Sequence, residues 1–195
     1  PTDVLQVLQG DGTIGAAVAR GDVDKVFFTG SVSTGRKVAH ACAERFVPCA
    51  LELGGSDPAI VCDDADVEHA ASGIAWGRFS NGGQTCVAPK RVYVAAPAYE
   101  RFVAAMQQRL QALQLKGPGA RSFDMGALIQ PSQWATLAAQ GDEAVARGAR
   151  AWRASGEPPD GIFPPTLVLD VPPGARVLQE ETFGPLLPIV PVRDD

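Results

Sequence analysis

The spacing of apolar residues changes period several times along the chain, and each change predicts an element. VLQVLQ (4–9) predicts a strand, and GDGTIGAAVAR (10–20) a glycine turn running into a helix. DKVFFTG (24–30) predicts a strand, SVSTGRKVAHACAERF (31–46) a helix and PCALEL (48–53) a further strand. This β-α-β order favours a parallel sheet with right-handed crossovers, whose ligand sites lie at the C-terminal ends of the strands.

The alternation continues beyond the glycine pair at 54–55. PAIVC (58–62) predicts a short strand. In DDADVEHAASGIAWGRFS (63–80), Val67, Ala70, Ala71, Ile74, Ala75 and Phe79 share one helical face, with Asp64 or Asp66 placed to cap it. RVYVAA (91–96) predicts a strand, and Pro97 opens a helix with Tyr99, Phe102, Val103, Met106, Leu110 and Leu113 on one stripe. From residue 114 on, prolines and glycines become frequent, interrupted by a helix expected at 131–148 and by the strands TLVLDV (166–171) and LLPIVPV (186–192). GEPPDGIFPP (156–165) reads as a surface loop. The expected fold class is α/β: an open, mostly parallel sheet with helices on both faces. A boundary at the glycine pair gives units of 1–53 and 54–195.

Composition narrows the function classes. At 195 residues the chain is long enough to bury a core, and 46% hydrophobic with 20% charged residues is ordinary for a globular protein. A net charge of −5 supplies no basic stripe, so no nucleic-acid partner is expected. No apolar run approaches the roughly 18 residues of a membrane span, and the opening PTDVLQVLQG lacks the regions of a signal peptide. Cys42, Cys49, Cys62 and Cys86 form no CxxC pair, and His40 and His69 are isolated, so neither a metal site nor a disulfide framework is expected. A reducing, cytoplasmic setting and a small-molecule substrate fit best.

Four stretches carry candidate chemistry. In FSNGGQTCVAPKRV (79–92), Gly82 and Gly83 allow the tight backbone approach that aims N–H groups at a reacting oxygen beside Cys86. A cysteine simply buried as it enters a strand is the plainer alternative. In LELGG (51–55), Glu52 stands between leucines in an expected interior strand, where a charged carboxylate is costly. General-base work or pairing with backbone amides or an arginine would each explain it. In FTGSVSTG (28–35), a strand ending at Gly30-Ser31 leads straight into a helix, whose free N–H groups suit a phosphate, although Ser31 or Ser33 would equally serve as a cap. GDGTIG upstream matches a dinucleotide-binding spacing without the expected ribose-binding acid. QEETFGP (179–185), taken alone, reads as a solvated loop.

Together and in order, FTGS, LELGG, DDAD, NGGQTC and QEETFGP resemble the successive signatures of the aldehyde dehydrogenase superfamily, through essentially the whole chain. The resemblance implies that Cys86 is the nucleophile adding to an aldehyde carbonyl and that Glu52 activates the water that hydrolyses the resulting thioester. The cofactor it implies is NAD or NADP. Gly30, Ser31 and Gly35 would lie on its pyrophosphate side, Leu53 and Gly54 beside the nicotinamide, Glu181 on the ribose and Phe183 next to it, with Glu180 the weaker of the paired acids. A homo-oligomeric parent protein is implied as well. Two departures stand out. Ser56 occupies a position where many members carry lysine, and family enzymes are well over twice this long. The chain is therefore expected to be a fragment, starting inside the dinucleotide-binding domain and ending before the last catalytic-domain elements. The alternatives are an inactive or non-catalytic domain, an acylating dehydrogenase passing its thioester to coenzyme A, and a cofactor-independent cysteine hydrolase. The last lacks a histidine in motif context with Cys86.

Overall fold

The computed structural model describes residues 3–117, 119, 121–122 and 124–193. The chain divides into two compact units, Pro1–Gly54 and Gly55–Asp195. Each holds a sheet flanked by helices, parallel in the first unit and mostly parallel in the second, and among the described residues no helix is long and apolar enough to cross a membrane.

The first unit is a single β-α-β crossover with one preceding helix. Asp11 caps α1 (Gly12–Arg20), its Oδ1 accepting from Thr13 N–H at 2.9 Å. β1 (Val26–Gly30) feeds α2 (Val32–Ala43), and β2 (Cys49–Leu53) returns parallel to β1. The strand expected at 4–9 does not form: Val4, Leu5, Val7 and Leu8 are exposed and pair with no strand among the described residues. VLQVLQ in fact repeats every three residues, a period that does not keep its apolar positions on one face of a strand.

The second unit holds a five-stranded sheet in the order β3-β4-β7-β6-β5. β3 (Asp57–Val61), β4 (Pro89–Ala95), β6 (Thr166–Leu169) and β7 (Leu186–Val192) run parallel, and β5 (Arg150–Arg153) is antiparallel at the edge. α3 (Val67–Phe79), capped by Asp66, and α4 (Tyr99–Gln111) pack over Val92, Val94, Leu167 and Leu169. α5 (Pro131–Ala146) and the short α6 (Arg176–Gln179) cover Val168 and Leu186. Leu167 and Leu169 face one cluster and Val168 the other, because successive strand residues point to opposite faces. Burying side chains such as Phe102, Met106 and Leu137 completely contributes about 1.5–3 kcal/mol each.

One strand goes unforeseen and one expectation changes. RAWR at 150–153 gives no strand signal, since only Trp152 among its four residues is even half-buried, yet it pairs as β5. The stretch 156–165 is only partly a surface loop: Ile162, Phe163 and Pro165 are buried, because two large apolar side chains outweigh the turn residues around them.

Candidate active site

In the first unit the parallel register sets Gly30 level with Leu53, and Thr29 level with Glu52, at the C-terminal ends of β1 and β2. Ser31 caps α2, its Oγ accepting from Thr34 N–H at 3.2 Å, and residues 31–34 are exposed. The first-turn amides therefore face solvent at the positive end of a 12-residue helix, an arrangement that suits an anion. Gly35 lies deeper. It is buried, and a Cβ there would overlap the Leu53 side chain, so its bareness lets α2 approach β2. Gly54 is half-buried. Glu52 is exposed rather than buried as its leucine neighbours suggested: Leu51 and Leu53 take one face of β2 and Glu52 the other.

In the second unit Cys86 is exposed, on the loop between α3 and β4. That loop begins with three consecutive left-handed residues, Asn81, Gly82 and Gly83, at φ 53°, 63° and 71°. Asn81 Nδ2 donates to Gln84 O at 3.2 Å, Gln84 Nε2 donates back to Asn81 O at 2.9 Å, and Gln84 Oε1 accepts from Ile129 N–H at 2.8 Å. The two amides thus hold the turn rather than the thiol. Gly83 packs on the QEETFGP stretch so closely that a Cβ would lie 2.5 Å from Gly184 O.

Two buried cations fix what surrounds Cys86. Lys90, fully buried, donates from Nζ to Thr85 O at 3.0 Å, Cys86 O at 2.7 Å and Ala88 O at 3.1 Å. Its Nζ also lies 4.0 Å from Glu181 Oε1, which accepts from Gly55 N–H at 3.4 Å. Arg78, also fully buried, donates to Thr182 O at 2.8 Å, to Thr182 Oγ1 at 3.0 Å and to Gly184 O. Burial pushes the Arg78 guanidinium down to about 9, with the Glu181 carboxylate opposing the shift, so it stays charged at neutral pH. Burial likewise lowers Lys90, helped by the charge of Arg78 and opposed by Glu181 and Asp57.

QEETFGP is accordingly no solvated loop. Thr182, Gly184 and Pro185 are buried, Glu181 and Phe183 are half-buried, and only Gln179 and Glu180 are exposed. From α5, buried Gln140 donates to Glu181 O at 3.2 Å and to Glu180 Oε2 at 3.3 Å. Arg91 ties the same region together, donating to Ser56 O at 3.1 Å and Leu178 O at 3.3 Å. The Ser56 hydroxyl has no hydrogen-bond partner among the described residues. Nor, among those residues, does any group of three or more His, Cys, Asp and Glu side chains gather as a metal site.

Glu180 turns outward, where Arg176 grips it through two bonds of 2.9 Å. Those bonds, then Gln140, hold its carboxyl below the ordinary value of 4.5. Since the folded value is lowered, the unfolded chain binds the extra proton first, and the stabilisation is whole above 4.5 and lost as pH falls through the folded value. Glu180→Gln is therefore expected to cost under ~1 kcal/mol at neutral pH, as exposed pairs do, and less at about pH 2. Urea midpoints at the two pH values check this; an equal loss at both would show that the charge is irrelevant.

Arg78 and Lys90 were not among the residues the sequence singled out, although a signal was present. Lys90 shares strand parity with the buried Val92 and Val94, and Arg78 stands three residues after the buried Ala75 of α3. A cation on an apolar face demands buried acceptors, and here they are the carbonyls of the two signature loops.

The model of the aldehyde dehydrogenase family matches residues 1–195. Lactaldehyde dehydrogenase of Escherichia coli (strain K12) is 39% identical over 196 residues, 97% of this chain and 41% of that protein. The structure of NADP-dependent glyceraldehyde-3-phosphate dehydrogenase from Bacillus halodurans C-125, complexed with NADP, superposes with a TM-score of 0.89 at 37% identity, over 97% of this chain and 39% of that one. Mycobacterium tuberculosis aldehyde dehydrogenase complexed with NAD+ gives a TM-score of 0.86 at 32% identity, over 93% of this chain and 38% of that one. The chain spans 36% to 41% of the length of such curated relatives.

Proposed function

This chain belongs to the aldehyde dehydrogenase family, and from that premise we propose that it carries the nucleophile and the water-activating base of an enzyme oxidising an aldehyde to a carboxylic acid with NAD or NADP. Cys86 is the observation behind this. Its side chain is exposed while the backbone around it is clamped by a fully buried ammonium, which is how a loop presents a reactive group rather than stores a core residue.

The Cys86 sulfur adds to the aldehyde carbonyl carbon and forms a tetrahedral thiohemiacetal, whose oxygen takes a hydrogen bond from the Cys86 backbone N–H. Loss of hydride from that carbon leaves a thioester on Cys86. The exposed first turn of α2, with Gly30 and Ser31 before it and no side chain at residue 30, fits the pyrophosphate of a dinucleotide, while Leu53 and Gly54 would border its nicotinamide ring. Glu181 would accept from a ribose hydroxyl and Phe183 would pack beside it. Bound there, the nicotinamide supplies the hydride acceptor. Glu52 then takes a proton from the water that attacks the thioester carbonyl, the C–S bond breaks, and the acid leaves with the thiol restored.

The exposure of Glu52 on its strand suits a group that must meet water. In the protein carrying this chain, Glu52→Gln is expected to release one equivalent of reduced cofactor per Cys86 and then stall, with an acyl mass increment on the Cys86 peptide. Steady turnover at the wild-type rate would remove Glu52 from the mechanism, and turnover that depends on added coenzyme A would favour the acylating alternative.

A further inference from the structure

Lys90 has an unusual position for a lysine: fully buried, four residues after Cys86, and in contact with two separate signature loops. An ammonium has three N–H donors, and the three carbonyls of Thr85, Cys86 and Ala88 take all of them at 2.7–3.1 Å. Glu181 at 4.0 Å is therefore held by charge rather than by a hydrogen bond to Lys90, and its own hydrogen bond comes from Gly55 N–H. Burying a lysine only to fill space would leave its charge without compensation. Here the charge converges three carbonyls that would otherwise repel one another, and its field falls on the carboxylate of the second loop.

We propose that Lys90 is a positioning residue that fixes the Cys86 loop in its presenting conformation and, through the same ammonium, aims Glu181. The proposal rests on the function assigned above to Cys86 and Glu181. It makes the two halves of the chemistry share one support: thiol presentation through the carbonyls of residues 85, 86 and 88, and cofactor binding through Glu181 Oε1. The charge alone does not suffice. A guanidinium is planar and wider, and its fork cannot meet three carbonyls converging on one point. A methionine leaves all three without a donor, whereas a glutamine keeps two N–H groups for three acceptors.

The test compares Lys90→Gln, Lys90→Arg and Lys90→Met with wild type in the protein carrying this chain. Three quantities are read: kcat and cofactor KM with an aldehyde, the iodoacetamide alkylation rate of Cys86 relative to the exposed Cys62, and the thermal midpoint. A loop misplaced by an ångström is expected to lower kcat about 100-fold. Loss of aim at Glu181 is expected to raise cofactor KM about 5- to 10-fold. The Cys86:Cys62 alkylation ratio should fall toward one. Leu167→Ala, a core truncation far from these loops in sequence, serves as the control that lowers the midpoint alone. Glu181→Gln should raise cofactor KM without touching the alkylation ratio. If Lys90→Met does not fold, the glutamine and arginine variants carry the same comparison. A fast wild-type Cys86 whose rate and kcat these variants leave untouched, or reduce no more than the control does, overturns the role of Lys90 alone. A wild-type Cys86 that reacts no faster than Cys62 overturns the nucleophile assignment, and the role of Lys90 with it.

Discussion

Cys86→Ser is expected to lower aldehyde oxidation by the protein carrying this chain on the order of 10⁴-fold or more, with the fold left intact. The thiol does what a hydroxyl here cannot. A few per cent of an ordinary thiol is thiolate at neutral pH, whereas a serine needs an adjacent base to become nucleophilic. Neither histidine stands close to residue 86 in sequence, His40 being in α2 and His69 in the first turn of α3. The side chain is exposed, so replacing sulfur by oxygen should change stability by no more than about 0.5 kcal/mol. Loss of rate with an unchanged denaturation midpoint is the expected pattern. Retention of more than about a hundredth of the wild-type kcat would show that the sulfur is not the attacking atom.

The second large effect concerns a position with no reactive group. Gly83→Ala is expected to destabilise the second unit by about 3–5 kcal/mol, because two penalties act together. The residue sits at φ 71°, which L side chains rarely adopt, and a Cβ would meet Gly184 O at 2.5 Å and Arg78 O at 2.9 Å. Both neighbours are backbone and cannot rotate away. Gly82 is the control: its φ of 63° is similar, but the nearest atom to a Cβ is Gln84 Nε2 at 3.3 Å, the end of a side chain. Gly82→Ala should cost only about 1–2 kcal/mol, from backbone strain alone. Urea midpoints of the two variants, at constant slope, decide the matter. Equal losses would mean that contact with Gly184 contributes nothing.

Much of the fold could be read from the sequence wherever period and capping agreed. α3 begins where Asp66 caps it and buries the face carrying Val67, Ala71, Ala75 and Phe79, as the spacing required. α4 buries Tyr99, Phe102, Val103, Met106 and Leu110 in the same way. Misreadings arose where local pattern and tertiary setting diverged. Residues 4–9 are apolar without a strand period or a pairing partner, and β5 is a polar edge strand recruited by β6. Glu52 was expected inside because leucines flank it, but a strand face, not a neighbour in sequence, decides burial.

The candidate site was legible as a set of stretches and not as a mechanism of support. NGGQTC announces a tight turn before a cysteine, and the turn does use its glycines in left-handed conformations. Nothing in a linear reading joins that turn to QEETFGP. The junction depends on Arg78 and Lys90, whose acceptors, the Thr182 hydroxyl apart, are backbone carbonyls and so leave no trace in residue identity. Ser31 illustrates the opposite case: its role as the cap of α2 follows from type and place alone.

The bond from Arg78 to Thr182 O joins residues 104 positions apart. Closing so long a loop carries an entropic cost that no local turn repays, so the junction between the two stretches cannot nucleate by itself during folding. A nascent chain emerging from the ribosome would hold the Cys86 loop apart from QEETFGP until the segment containing Thr182 had been synthesised, and the two stretches would join only as β7 pairs with β4 and β6.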